Sequence, residues 1–468
     1  MLDAVVIGSG PNGLSAAITL ARAGRSVVVY EAQPVIGGGA KTAELTLPGF
    51  LHDVCSAVHP MGIASPFFQA LPLEKHGLEW IQPPAPLAHP LDDGPPVMLH
   101  RSLEETAASL DADGESWRRL FEPSLRIWPD LKRDLLGPLR FPSKPLGMAT
   151  FGLHALLPAT VLARACLRTA RARALFAGIA AHSVLPLTWT ASSAVGLVLT
   201  VAGHADGWPL PRGGSQAISR ALALYLESLG GRIVTSTPIS DLRQLPPSRV
   251  TIFDLTPRQI VKIAGDRFSP SFRARLEKYR YGPGVFKLDW ALKAPIPWKS
   301  PECATAATVH LGGTLEEMIV SEKACWNGSH AEKPYVLLTQ PSLFDTTRAP
   351  IGQHTAWAYC HVPNGSRVDC TEAIERQVER FAPGFRDVIL ARHVLDPQEL
   401  EAQNANLVGG DIGGGAVMLP QLFLRPTRRL YATSDPALYI GSSSTPPGGG
   451  VHGMCGYHAA QAALKHLA

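Results

Sequence analysis

The stretch that most constrains what this chain can fold into is its beginning, from Leu2 to Glu31. Leu2 to Ile7 is an apolar, β-branched run, and Gly8-Ser9-Gly10-Pro11-Asn12-Gly13 follows it at once. An apolar strand entering a G-x-G-x-x-G turn predicts a tight turn at Gly8, close backbone approach of a pyrophosphate at Gly10 and close helix packing at Gly13. Leu14 to Ala23 is rich in Ala and Leu and stops at Gly24, as a helix commonly does. Ser26 to Tyr30 then reads as a second strand that delivers Glu31. An acid at that place accepts the ribose hydroxyls of an adenine dinucleotide and disfavours a 2′-phosphate, which leaves FAD or NAD.

A second glycine run, Gly37-Gly38-Gly39-Ala40-Lys41-Thr42, comes next. Such a run passes the backbone beside the ribityl and phosphate portion of a long cofactor, with Lys41 available to an anionic oxygen. An NAD-only domain has no need of it, so the weight moves to FAD. His59, in the small and apolar segment Cys55 to Pro60, is the first candidate for acid–base work.

At 468 residues the chain is long enough for two or three domains. A net charge of +4 without a basic block argues against a nucleic-acid partner. Seven scattered cysteines with no C-x-x-C argue against disulfide-relay chemistry, and no metal site is expected. The first strand starts at the second residue, so a cytoplasmic or organelle-matrix location is expected.

The expected fold is α/β plus α+β, a Rossmann-like FAD-binding domain with a discontinuous substrate domain of mixed sheet and apolar helices. Residues 1–75, 206–285 and 396–468 are assigned to the first domain, and 76–205 and 286–395 to the second. Phe176 to Gly203 carries no Asp, Glu, Lys or Arg, but Pro186 and several polar residues spoil it as a spanning helix. It is expected to line an apolar cavity for a greasy substrate. With Phe151 to Ala163 it leaves a peripheral membrane contact open. Ser215 is expected to cap a helix from Ala217, and Thr371 one from Cys370 to Phe381. The alternation from Phe286 to Ala291 predicts a half-buried strand with Lys287 in solvent. Tyr431 to Thr433 and Leu438 to Ile440 read as strands before a helix of small residues that runs to Leu467.

Taken together, Val5 to Leu14, Cys55 to Pro60, Gly409-Gly410-Asp411-Ile412 and Pro447-Gly448-Gly449-Gly450-Val451-His452-Gly453 resemble the motifs of the phytoene desaturase-like flavoproteins. The wider group includes amine oxidases and the Rab GDP-dissociation inhibitors. The resemblance implies noncovalent FAD, with Gly8, Ser9, Gly10, Gly13 and Glu31 on the ADP half and Gly38, Gly39 and Lys41 in the middle. It further implies Ile239 on the adenine side and Gly441, Ser442, Val451 and Met454 on the flavin side. Lys41 stands where relatives commonly have arginine, and Gly413-Gly414-Gly415 where they commonly carry a histidine or another side chain.

The expected activity is hydride transfer from a lipophilic, carotenoid-like substrate to flavin N5, with His59 and His452 as candidate acid–base groups. Redox-neutral isomerisation, amine oxidation and non-enzymatic carriage of a lipid or prenyl group remain open on the same scaffold.

Overall fold

The computed structural model describes residues 1–467, with the side chains of Pro420, Leu422 and Phe423 outside the description. Strand β1 (Leu2–Ile7) enters helix α1 (Pro11–Arg22) and returns as β2 (Val27–Tyr30). The β-branched residues of both strands lie between helices and are buried, as a parallel sheet covered on both faces requires. A hairpin of Thr42–Glu44 and Leu51–Asp53 follows. The chain then leaves for β3 (Ala85–His89) and β4 (Val97–Leu99) and a run of helices that includes α2 (Ala170–Ala180) and α3 (Ser193–Ala205).

Helix α4 (Gln216–Ser228), β5 (Arg232–Val234) and β6 (Ser248–Phe253) bring it back. It leaves again through β7 (Gly284–Leu292), β8 (Ala306–Leu311), helix α5 (Leu315–Trp326), β9 (Val336–Thr339), β10 (His354–Val362), helix α6 (Thr371–Phe381) and β11 (Ile389–Leu395). The last return is β12 (Leu438–Ile440) and α7 (Met454–Leu467).

Two main sheets result. The first is parallel, in the order β12-β6-β1-β2-β5, so its five strands come from three separated stretches of chain. The second has the order β11-β7-β10-β9-β8-β3-β4, antiparallel except where β8 runs alongside β3. The fold is therefore α/β plus α+β, with a Rossmann-like parallel core and a mixed sheet.

Helix α7 packs closely on α1 because Gly456 has no side chain: a Cβ there would stand 1.7 Å from the Asn12 carbonyl oxygen. The uncharged run from Phe176 to Gly203 packs in the same way, with Gly196 of α3 against Ala180 of α2. Gly178 of α2 rests directly on the imidazoles of His89 and His310.

Four local expectations change. Strand β7 is buried on both faces, because α6 covers one and the Leu51–Asp53 hairpin lies against the other, with His52 Nδ1 3.6 Å from Asp289 Oδ1. Lys287 is therefore enclosed rather than solvated. Ser215 precedes α4, but its hydroxyl makes no cap; it is turned toward Ser56 and His59 instead. Thr371 is the first residue of α6, not its cap, with Cys370 before it. Tyr431 to Thr433 contributes one bridge, Ala432 to Tyr439, rather than a strand.

Candidate functional site

The glycine turn after β1 is closed from across the sheet. Helix α1 starts with no side-chain cap and no acid in its first turn. Asp254, which follows β6, supplies both: its Oδ2 accepts from the Gly13 amide at 2.9 Å, and the Gly10 amide also donates to it. A Cβ on Gly10 would stand 2.6 Å from the same oxygen, so the space beside Gly10 belongs to Asp254. Burial pushes this carboxyl up to about 7, and the like charge of Glu31 adds to the effect.

Glu31 lies at the end of β2 with its Oε2 accepting from the Ser9 amide (3.0 Å) and hydroxyl (2.5 Å), and Oε1 from the Gln33 amide (2.9 Å). Ile239 packs, partly buried, on the apolar cluster that contains Phe253. The second glycine run lies against the first. Gly37 donates to the Ser9 carbonyl at 3.1 Å, and a Cβ on Gly38 would be 3.3 Å from Gly10 Cα. Gly39 borders Cys55, and Lys41 acts electrostatically on that thiol.

The closing motif reaches the same turn. Gly441 donates to the Phe253 carbonyl at 2.8 Å, and the Ser443 hydroxyl accepts from Asn12 at 3.4 Å. Ser442 caps its own loop by accepting from the Ser444 amide, and Val451 holds a left-handed φ of 54°. Met454 opens α7, and its amide donates to Nδ1 of His452 at 3.1 Å. His452 is held neutral, with burial pushing its imidazole down to about 4. Since Nδ1 accepts, Nε2 carries the proton, and that nitrogen is buried with no partner among the described residues.

His59 is also neutral, pushed down to about 4 by burial. Its Nε2 lies 2.8 Å from the Ser215 hydroxyl, which itself donates to the Ser56 carbonyl. His59 therefore braces the start of α4. Two features here escaped the sequence reading. Asp53 accepts from the Ser215 amide (2.7 Å), the Thr42 hydroxyl (2.9 Å) and Arg348 Nη2 (2.7 Å), and its carbonyl accepts from Trp357 of the mixed sheet. Burial works against the Asp53 carboxylate, yet the Arg348 guanidinium and the Ser215 amide outweigh it and hold the group below the usual range. This buried pair fastens the Leu51–Asp53 hairpin to the segment between β9 and β10. The second feature is Arg425, buried, whose Nη2 donates to the carbonyls of Gly414 (3.2 Å) and Ser443 (2.5 Å) and so joins the Gly413–Gly415 loop to the closing motif.

On the mixed sheet, Lys287 Nζ pairs with Asp289 and lies 5.7 Å from the Trp357 ring. Lys287 stands opposite Tyr359 and acts on the Cys55 thiol beside Gly39, so this pair borders the second glycine run. Farther along the same face, His361 Nδ1 meets Glu322 of α5 at 2.7 Å, and His182 and His310 are joined Nε2 to Nε2 at 2.9 Å. The two described surface clefts, of about 370 and 190 Å³, are lined by no residue of the glycine turns. Among the described residues no cluster of His, Cys, Asp or Glu could hold a metal, and all seven cysteines are free.

A glycine turn between a parallel strand and a helix, with an acid at the end of the second strand, is the arrangement of a Rossmann-like domain, here joined to a mixed sheet. A family model described as an NAD(P)-binding Rossmann-like domain matches residues 6–71. The chain is 27% identical to the mouse pyridine nucleotide-disulfide oxidoreductase domain-containing protein 2, over 99% of this chain and 94% of the relative. It is 25% identical to the phytoene dehydrogenase of Streptomyces griseus, over 86% of this chain and 80% of that one. A solved structure of wild-type putrescine oxidase bound to putrescine has the same fold, with a TM-score of 0.61 at 16% identity, covering 100% of this chain and 99% of that one. The chain is thus similar over nearly its whole length to the domain-containing protein 2 sequences and over most of it to a phytoene dehydrogenase.

Proposed function

We propose that the chain is an FAD-dependent oxidoreductase that removes a hydride from an activated C–H bond of a lipophilic substrate. The observation that carries the cofactor is the contact of Gly38 with Gly10, which joins the two glycine runs into one strip of backbone between Glu31 and Lys41. In this reading Gly8, Ser9, Gly10, Gly13 and Glu31 hold the ADP half, and Ile239 meets the adenine through its backbone. Gly38, Gly39 and Lys41 hold the middle, and Gly441, Ser442, Val451 and Met454 the flavin. When bound, the flavin supplies a hydride acceptor at N5, chemistry that is the cofactor's own.

The chain's own residues orient and enclose. His452 is neutral and offers an Nε2–H donor rather than a base. Lys287 and Asp289 place a desolvated ion pair on the sheet face beside the second glycine run, where an activating polar group of the substrate can be held.

The lipophilic class is supported by a surface feature. Leu139, Phe141, Leu146 and Leu153 are 68%, 86%, 86% and 72% exposed, clustered within fifteen residues of sequence. Pro145–Ala155 and Ala159–Cys166 form a helix pair bent by 104°, and no single described helix is long and apolar enough to cross a membrane. From Leu135 to Ala205 the chain has no Asp or Glu but carries Arg140, Lys144, Arg164, Arg168, Arg171 and Arg173, of which Arg140 pairs with Asp134 and Arg164 with Glu316. An apolar tip beside a cationic, acid-free stretch suits an anionic lipid surface from which a greasy substrate would enter.

The test is anaerobic. Oxidised holoprotein is mixed with anionic vesicles carrying graded lipophilic candidates, and separately with small amines, and flavin bleaching is followed with the product identified by mass. Bleaching by a vesicle-borne candidate is expected. Reduction by a small amine alone would contradict the reading.

A further inference from the structure

The first glycine turn is unusual in its charge. Two carboxylates flank the place where a dinucleotide pyrophosphate would lie, Glu31 at the end of β2 and Asp254 at the end of β6. Both are buried, and Asp254 Oδ2 is aimed at the opening of α1, held by the Gly13 amide at 2.9 Å, and fills the side-chain space of Gly10.

The groups that bear on Asp254 come from every neighbouring element. From α1 there are only the amides of Gly10 and Gly13, and from β2 the Glu31 carboxylate. Helix α7 contributes the Cys455 thiol, which burial pushes up to about 11 and which the Asp254 charge pushes further. From the segment after β11, Asn406 donates to the Asp254 backbone carbonyl at 3.1 Å. No cation is among the groups acting on Asp254 in the described residues. A pyrophosphate brings at least one further negative charge to the same turn, in a place too enclosed for water to screen it.

Resting on the FAD reading above, we propose that Asp254 is protonated whenever a dinucleotide occupies the glycine turn, so that cofactor binding takes up a proton from solvent. The proton moves from buffer to an Asp254 carboxyl oxygen, and no bond of the cofactor changes. Neutral Asp254 still accepts the two amides through its carbonyl oxygen and thus keeps α1 capped, while the repulsion with Glu31 and the phosphates is removed. Burial and Glu31 already set the free carboxyl near neutrality, at about 7, so a small further push suffices in the physiological range. Asp254 is a positioning residue here: it shapes the turn and sets the pH dependence of binding without taking part in hydride transfer.

The experiment uses the full chain, stripped of cofactor, with FAD as the probe. The dissociation constant is measured by flavin fluorescence from pH about 6 to about 8.5, and proton uptake by calorimetry in two buffers of different ionisation enthalpy. Above neutrality, affinity is expected to weaken about tenfold per pH unit, with close to one proton taken up per FAD near pH about 8. Asp254→Asn keeps the shape and the amide acceptor, and should bind FAD with an affinity that is flat over the same range. A flat wild-type profile with no proton uptake would overturn the proposal, as would a slope that survives in Asp254→Asn. The wild-type uptake decides the matter even where the variant does not fold. Absence of FAD binding to both proteins at every pH would instead sink the cofactor reading itself.

Discussion

The two faces of the mixed sheet are built by the same strands, one residue out of step, and they have opposite chemistry. Phe286, Leu288 and Trp290 of β7 with Ala356, Ala358 and Cys360 of β10 form one face, which packs on Ile374, Val378 and Phe381 of α6. Lys287, Asp289, Trp357, Tyr359 and His361, with His310 and His89, form the other, under the Leu51–Asp53 hairpin at the lysine end and under α2 and α5 at the histidine end. The period of two separates them completely.

Both faces are dry, so burial does not tell them apart. Satisfaction does. The polar face leaves Asp289 Oδ1, His89 Nδ1, His310 Nδ1, His361 Nε2 and Thr339 Oγ1 buried without a hydrogen-bond partner among the described residues. Each such atom costs on the order of 1–3 kcal/mol, so a face that carries five of them is not optimised for stability alone. The apolar face holds the sheet together, while the polar face is the one with hydrogen-bonding capacity left open.

The largest effect should come from the buried pair at the Leu51–Asp53 hairpin, which borders this polar face at Trp357. Arg348→Ala leaves Asp53 charged and enclosed, and should cost about 3–5 kcal/mol in urea unfolding. Adding Asp53→Asn should restore a measurable part of that loss. Failure of the second change to help would separate the two residues energetically and weaken the idea of a single fastening.

Next comes a contrast of kind. Leu288→Ala, on the apolar face, should cost about 2–4 kcal/mol without altering how stability depends on pH. The polar face, unlike the apolar one, should add to the loss of stability in acid that His59 and His452 also cause. Burial holds His89 down at about 4 and His182 at about 3, and His310 well below its ordinary value. Each is therefore neutral in the folded protein but takes up a proton in the unfolded chain below about 6.5. Stability is fully present above that pH and is lost as pH falls through the window between about 6.5 and 4. Urea melts at pH about 7.5 and 5 should show the loss, and His310→Phe should make it shallower; an unchanged slope would break the comparison.

The smallest effect is expected from Ile374→Val in α6, about 0.5–1.5 kcal/mol with the acid slope intact. A changed slope there would mean that the two faces are not independent.

Much of the parallel core was legible in the chain because its signals are local. Leu2 to Ile7, the glycine turn, the helix after it and Glu31 follow one another within thirty-one residues, and each has the residue type its backbone needs. Lys287 and Asp289 were misread for the opposite reason. Charged residues alternating with apolar ones are what a half-exposed strand shows, and nothing within β7 says that the hairpin carrying His52 lies against Asp289.

Partnerships across long separations were invisible. Asp254 caps a helix 241 residues earlier, and Arg348 answers Asp53 across 295 residues. The Asp254 signal was present as an acid just after a parallel strand, but its target was not. Ser215 shows the same limit on a smaller scale: a good capping residue in the capping position, drawn off by Ser56 and His59.

The most direct test of the central claim is the identity of the cofactor. Purified protein is denatured, and the released small molecule is identified by mass and quantified against the polypeptide. The account predicts FAD in amounts approaching that of the chain, with Gly10→Val abolishing it by crowding Asp254 and the pyrophosphate turn. Release of NAD or NADP with no flavin, from a protein that also fails to take up added FAD, would contradict it.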